Sequence, residues 1–214
     1  SRHTHVYGLN GLSGIDIQDA LWRFFIDAGG QPETIQCDYD PRFLGGIVRR
    51  LLHSNGIRIR SSPPYRQSQN GLAERTWGLL CRMARCLLTE AQLPKSYWYW
   101  AIREASLRLN MTPTPDPNGK ATTPFTLYYG RKPDARVLFP FGCVGYYRRD
   151  APTFETETLP GIALGRSDYT NGIVFYNPST HQFTVSADYT LDAGRAVRTL
   201  FPRVVYDGGF DAVS

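Results

Sequence analysis

A single carboxylate, Glu74, lies in an otherwise basic part of the chain. Between Asp40 and Glu90 it is the only acidic residue, and the same stretch holds nine arginines. Asp38 precedes it, with 35 residues between the two. A carboxylate isolated among arginines is the pattern expected of a metal ligand that works on a polyanion, because the metal ion cancels the carboxylate charge while the arginines hold phosphates. We therefore take Asp38 and Glu74 as candidate metal ligands.

Each carboxylate also has a simpler interpretation. Asp38 could cap the end of a strand, and Glu74 could stabilise the start of a helix through the helix dipole. The spacing alone does not separate these alternatives, since an Asp and a Glu fall at this separation by chance in many proteins. The segment that contains Glu74 adds a second signal, and it runs Pro64-Tyr65-Arg66-Gln67-Ser68-Gln69-Asn70-Gly71-Leu72-Ala73-Glu74-Arg75.

The spacing and the segment together resemble the integrase region of Ty1/copia-type retrotransposon polyproteins. In that family two Asp residues precede a Glu, with 35 residues between the second Asp and the Glu, as here. The Glu belongs to a Pro-x-x-x-Gln-x-Asn-Gly-x-x-Glu-Arg segment, which Pro64 to Arg75 match. The resemblance extends from residue 1 to about residue 192. It implies metal-dependent joining of retroelement DNA to target DNA, by 3′-processing and strand transfer. Asp38 and Glu74 would then be two of three carboxylates that bind Mg²⁺ or Mn²⁺.

The family's third carboxylate has no match in the chain. In the family it lies on a strand before the one that we expect at residues 4–9, which places it roughly 15–20 residues ahead of Ser1. We therefore expect these 214 residues alone to lack recombinase activity. We also expect the exposed sheet edge at residues 4–9 to cause aggregation or dimerisation.

The chain departs from the family just after Asp38. The family has Asp-Asn-Gly-x-Glu-Phe at this place, whereas the chain has Asp38-Tyr39-Asp40-Pro41-Arg42-Phe43. Asp40 could perturb Asp38 through like-charge repulsion or add a metal contact. It could equally begin a turn before Pro41, which we favour. The departure is also what a decayed copy of an element would show.

The candidate DNA contacts lie on the loop before Glu74 and on the helix that contains it. Amide and hydroxyl side chains reach phosphates and sugars without reading sequence, and a tyrosine can stack on an unpaired base. Arginines spaced 7 and 3 residues apart share one side of a helix. The candidates are Tyr65, Gln67, Ser68, Gln69, Asn70, Arg75, Arg82 and Arg85. The alternatives are a packed loop anchor for Tyr65 and a solvated helix face for the arginines.

The order of elements predicts an α/β fold. Strands are expected at 4–9, 34–38 and 57–60, and helices at 13–28, 43–54, 72–91 and up to 111, with Trp77, Trp98 and Trp100 in the core. The resemblance specifies a ribonuclease-H-like mixed sheet with flanking helices, the first two strands of which would precede Ser1. We assign 1–111 to this truncated catalytic core, 112–137 to a linker, 138–200 to a small antiparallel β domain and 201–214 to a tail.

Charge favours a nucleic-acid partner for the first half of the chain. Residues 1–113 hold 14 basic and 9 acidic groups, whereas residues 114–214 hold 10 of each. The four cysteines show no zinc-ligand spacing, and no apolar run is long enough for a membrane span. We expect a nuclear or cytoplasmic protein that binds DNA and, when intact, forms homo-oligomers. The alternatives are an inactive nucleic-acid-binding module of a decayed polyprotein and a structural role for the neutral half.

Overall fold

The computed structural model describes residues 1–37, 40–61, 71–116, 118–148, 158–195 and 197–204. The chain divides into two compact units. The smaller unit is His5–Leu79, and the larger one combines Ser1–Thr4 with Leu80–Ser214. The division falls inside one long helix, so that helix contributes residues to both units.

The smaller unit packs helices against two parallel strands. Its elements are α1 (Gly14–Asp27), β1 (Thr34–Cys37), α2 (Pro41–Leu44), α3 (Gly46–Ser54) and β2 (Arg58–Ser61). In the parallel register Ile35 lies opposite Ile59, and both pack on the core of the unit. That core consists of Ile17, Phe25, Val48, Leu51, Leu52 and Ile57. A parallel pair covered by helices is the arrangement expected of an α/β fold.

Helix α1 begins at a reciprocal cap. The Asp16 N–H donates to Ser13 Oγ at 3.3 Å, and the Ser13 N–H donates to the Asp16 carboxylate at 2.9 Å. This capping box satisfies two donors that a helix start leaves without partners. The hydrogen bond from the Ser13 side chain also lowers the pKa of the Asp16 carboxyl.

The larger unit combines helices with a five-stranded antiparallel sheet. It holds the end of α4 (Gly71–Ala91), then α5 (Trp98–Met111), β3 (Thr114–Pro115), β4 (Ala121–Thr122), α6 (Pro124–Tyr129) and α7 (Val197–Leu200). The sheet strands are β5 (Val144–Arg148), β6 (Thr158–Arg166), β7 (Ile173–Asn177), β8 (Gln182–Ser186) and β9 (Tyr189–Asp192). Their order is β8-β7-β6-β5-β9. The predicted α/β class and the small antiparallel β domain are therefore confirmed, and the exact domain boundaries stay predictions.

The sheet uses its two faces differently. One face holds a buried cluster of Cys143, Tyr147, Ala163, Ile173 and Phe175. Tyr176 points to the opposite face because side chains alternate along a strand. On that face its ring lies 5.8 Å from the ring of Tyr97, which immediately precedes α5.

Residues 4–9 form no strand, so the strand expected there, and the sheet edge that it would expose, are wrong. Within this segment, backbone groups of Thr4 and Gly8 bond to side chains instead of to a neighbouring strand. The Thr4 N–H donates to Asn110 Oδ1 at 2.8 Å, and the Gly8 carbonyl accepts from Arg23 Nη2 at 2.8 Å. An apolar–polar pattern alone does not show which of these partners the backbone will find.

The helix expected at 43–54 is two helices that meet at Gly45. Asp40 caps the first one, and Gly45, with ψ of 162°, is too extended to continue it. The proposed linker 112–137 also holds regular structure, the β3–β4 hairpin and α6. Trp77 and Trp98 are exposed, which corrects their expected place in the core.

All four cysteines are free thiols. Cys86 is exposed, whereas Cys143 is buried, and desolvation raises the pKa of the Cys143 thiol to about 11. Over the parts of the chain that the structure describes, no helix is both long enough and apolar enough to cross a membrane.

Candidate active site

The parallel strands β1 and β2 end at the same level of the two-stranded sheet in the smaller unit. The parallel register places Cys37, the last residue of β1, opposite Ser61, the last residue of β2. Asp38 follows Cys37 directly in the sequence, and it lies outside the described residues. In α/β folds functional groups gather where parallel strands end. Asp38 therefore follows the strand at the edge where such groups are expected.

Glu74 lies in the first turn of α4, as the sequence predicts. Its side chain is exposed, and it makes no ion pair with any of the residues that the structure describes. The helix dipole favours a negative charge at this end of α4. The carboxylate is thus accessible to a cation from solvent, which a metal ligand requires.

A complete metal site is not present among the described residues. Within those ranges no three His, Cys, Asp or Glu side chains lie close enough together to hold a metal ion. Asp38 is outside those ranges, so the pair Asp38 and Glu74 stays a prediction. The chemistry of the donors fits, since carboxylate oxygens are hard ligands of the kind that Mg²⁺ prefers.

Asp40 is engaged in a helix cap. Its Oδ1 accepts from the Arg42 N–H at 2.8 Å, and the Arg42 Nε donates to the same oxygen at 2.9 Å. The hydrogen bond from the Arg42 side chain lowers the pKa of the Asp40 carboxyl. Of the two roles considered for Asp40, the geometry favours the turn before Pro41 over a metal contact.

The arginines of α4 lie on its solvent side. Arg75, Arg82 and Arg85 are exposed, whereas the buried residues of the same helix are Leu80, Ala84, Leu87 and Leu88. A helix with apolar residues on one side and cations on the other can bury the first and offer the second to phosphates. The other predicted DNA contacts, Tyr65, Gln67, Ser68, Gln69 and Asn70, lie outside the described residues.

Two further cations were missed by the sequence analysis. Arg58 and Arg60 on β2 are exposed, and Ile59 between them packs on the core. Arg58 pairs loosely with Glu33, at 3.6 Å. The alternation Ile57-Arg58-Ile59-Arg60 was the available signal, because it places both arginines on the sheet face away from the helices.

The sequence is related to plant retrotransposon polyproteins. No protein-family model matches the chain. The retrovirus-related Pol polyprotein from transposon RE2 of Arabidopsis thaliana is 30% identical over 148 residues, which are 68% of this chain and 10% of that polyprotein. The corresponding polyprotein from transposon RE1 of the same plant is 35% identical over 92 residues, 43% of this chain and 6% of the polyprotein.

These relatives confirm the resemblance to copia-type retrotransposon integrases that the sequence indicates. The chain spans a tenth or less of the length of these two relatives. Among solved structures, the HTLV-2 integrase catalytic core domain in complex with magnesium is 24% identical, with a TM-score of 0.44. That similarity covers 55% of this chain and 71% of the HTLV-2 chain.

Proposed function

We propose that the chain forms part of the catalytic core of a retroelement integrase, with the ribonuclease-H-like fold that its family implies. Asp38 and Glu74 bind Mg²⁺ or Mn²⁺ in this proposal. The observation that carries it is the parallel register of β1 and β2, in which the last residues of the two strands, Cys37 and Ser61, lie opposite one another. Asp38 follows Cys37 directly in the sequence. The exposed Glu74 belongs to the same compact unit.

The proposed chemistry is transfer of a phosphodiester bond between DNA strands. When bound, divalent ions activate the attacking hydroxyl and stabilise the leaving oxygen at the scissile phosphate. The carboxylates of Asp38 and Glu74 supply negative charge and hard oxygen donors for such ions. The chain matches two of the family's three carboxylates, so we expect the 214 residues alone to bind metal weakly and to lack strand transfer.

The proposed DNA surface extends from the loop before Glu74 along the solvent side of α4. Gln67, Ser68, Gln69 and Asn70 bond to phosphates or sugars, and Tyr65 stacks on an unpaired terminal base. Arg75, Arg82 and Arg85 neutralise phosphates. The exposure of all three arginines supports this part of the proposal.

The test compares metal-dependent DNA binding in wild type and variants. Fluorescence anisotropy of a labelled DNA end is measured with Mg²⁺ or with EDTA, in parallel with Mn²⁺ binding by electron paramagnetic resonance. We expect D38N and E74Q to weaken Mn²⁺ binding severalfold and to remove the Mg²⁺-dependent gain in DNA affinity. D40N is the matched control, since Asn caps a helix as well as Asp does.

The second candidate is a nucleic-acid-binding module without catalytic function. The Asp40 cap with Arg42 favours it. These two residues replace the Gly and the Glu that the family has after the second Asp, so the segment next to Asp38 departs from the catalytic pattern. DNA binding that weakens with salt but is the same with Mg²⁺ and with EDTA, in wild type and E74Q alike, would support this candidate and overturn the first.

A further inference from the structure

Strand β8 forms one edge of the antiparallel sheet within the described residues, and it carries exposed apolar side chains. Among the described strands it is outermost, and its one sheet neighbour there is β7. Phe183 and Val185 on β8 are 57% and 46% exposed. An edge strand of this kind offers unpaired backbone groups together with apolar area, which is the combination that another strand can cover.

The exposed side chains continue an ordered apolar layer. The Phe183 ring lies 4.8 Å from the ring of Tyr176 on β7 and 5.8 Å from the ring of Trp100 on α5. Val185 lies opposite Val174, which is buried. A strand added beside β8 would therefore extend a layer that is already packed, with no rearrangement of the sheet.

We propose that β8 pairs antiparallel with β8 of a second copy of the chain. The sequence Gln182-Phe183-Thr184-Val185-Ser186 is nearly symmetric in its chemistry about Thr184. Pairing centred on Thr184 places Phe183 of each copy opposite Val185 of the other, and aromatic residues opposite β-branched ones are favourable cross-strand neighbours.

The backbone allows the same register. Along an edge strand the groups that point outward belong to every second residue. Phe183 and Val185 are two residues apart, so their backbone N–H and C=O groups either all point to the second copy or all point to β7. When they face the second copy, each Phe183–Val185 pair exchanges hydrogen bonds, and the two Thr184 residues face one another between them.

Charge is compatible with self-pairing. No residue of β8 is charged, so no like charges meet across the two strands. Beyond the strand ends, the register brings Asp188 of one copy beside the segment Thr180–His181 of the other, which holds no acidic group. A five-residue strand buries less than the ~1,600 Å² of a standard interface, so the dimer forms reversibly and depends on concentration.

The first experiment is sedimentation velocity of the 214-residue chain over a concentration series. We expect wild type to shift from monomer to dimer in the micromolar range. Val185→Lys should weaken the dimer at least tenfold, because a desolvated lysine on each strand opposes pairing. Leu127→Lys is the matched control, since Leu127 is 45% exposed on α6, and it should dimerise like wild type. Circular dichroism melts check that both variants are folded.

The second experiment traps the register. In a Cys86→Ser background, which removes the exposed native thiol, Thr184→Cys places two thiols opposite one another at about 4.5–5.5 Å between Cα atoms, within disulfide range. Gln182→Cys is the control, because residue 182 faces residue 186 of the second copy. We expect a covalent dimer from the first variant under mild oxidation and little from the second.

Three outcomes would overturn the proposal. They are a wild-type chain that stays monomeric throughout the series, a dimer that Val185→Lys leaves intact, and equal cross-linking at positions 182 and 184. A monomer would mean that the β8 edge is left open or binds a different partner. The proposal does not depend on integrase activity, so loss of metal-dependent DNA binding leaves it unaffected.

Discussion

The side-chain amide of Asn110 pairs with both backbone polar groups of Thr4. Its Nδ2 donates to the Thr4 carbonyl at 2.7 Å, and the Thr4 N–H donates to its Oδ1 at 2.8 Å. Ser106 Oγ donates to the same carbonyl at 2.9 Å. Helix α5 thus bonds to Thr4 in the way that a neighbouring strand would, and this contact accounts for the backbone groups of Thr4.

Removing this amide should destabilise the larger unit. Asn110 is 5% exposed, and Asn110→Ala removes the acceptor of the Thr4 N–H and leaves the Thr4 carbonyl with Ser106 Oγ alone, so we expect a loss of about 1–3 kcal/mol in the free energy of unfolding. Urea denaturation followed by circular dichroism measures it. Asn118→Ala, at an exposed position, should change stability little, and equal losses in the two variants would contradict the role of the pair.

Stability should depend on pH through Glu104. This residue is 3% exposed and accepts a hydrogen bond from Arg108 Nε at 2.8 Å. Burial raises the pKa of its carboxyl above the ordinary value of 4.5, against the opposing effect of Arg108. The folded state therefore holds this proton more tightly than the unfolded chain does. Its contribution is complete below pH 4.5 and is lost as pH rises through the folded-state pKa.

Glu104→Gln, which cannot ionise, should consequently gain stability relative to wild type as pH rises from about 4 to about 7. Thermal melts across this range measure the difference. Glu33→Gln is the control, because the Glu33 side chain is 92% exposed. A constant difference between Glu104→Gln and wild type would show that burial does not govern this titration.

The arginines of α4 should set the salt dependence of DNA binding. Each of Arg75→Ala, Arg82→Ala and Arg85→Ala should reduce the slope of log K against log salt by roughly 1, because each removes one phosphate contact. Anisotropy titrations between low and moderate salt give the slope. Arg136→Ala should leave it unchanged, since Arg136 is exposed and paired with Asp134. Slopes equal to that of wild type in all variants would place the DNA elsewhere.

Gly142 should tolerate substitution less than Gly119 does. Both have positive φ, 72° and 80°, so alanine costs about 1–2 kcal/mol at either position. At Gly142 the added Cβ would also lie 2.7 Å from Ala91 Cβ and from Leu93 Cδ1, whereas nothing lies within 4 Å at Gly119. We expect Gly142→Ala to cost about 1–3 kcal/mol more than Gly119→Ala, by chemical denaturation. Similar losses would mean that the neighbours move aside freely.

The sequence predicted best those elements in which a periodic apolar pattern extends over many residues. Helix α4 was expected at 72–91 and is Gly71–Ala91, because four of its apolar residues recur at helical spacing and are buried. Strand β8 lies inside the segment 138–200 that the sequence assigns to a small antiparallel β domain. Strand β9 was missed, since Tyr189–Asp192 is short and is defined by pairing with β5, whose partner residues lie 42 to 48 positions earlier in the chain. Such pairing is not visible in local patterns.

The candidate site was predictable only where it lies on regular elements. Glu74 and the three arginines of α4 are where helical periodicity placed them, exposed on one long helix. The role of Asp40 depended on its hydrogen bonds to Arg42, which no spacing rule specifies. Asp38 and the loop 62–70 lie outside the described residues, so their convergence with Glu74 stays a prediction.

The buried Cys143 and the exposed Cys86 should react with an alkylating reagent at very different rates. A thiol with a pKa near 11 holds very little thiolate at neutral pH, and Cys143 is also shielded from reagents by the sheet. Its alkylation therefore reports how often the sheet opens, whereas Cys86, on the surface of α4, reacts without any opening. Mass spectrometry of a timed alkylation would read both rates from one sample, and, where the sheet closes faster than the open thiol reacts, their ratio would give the fraction of molecules in which the sheet is open.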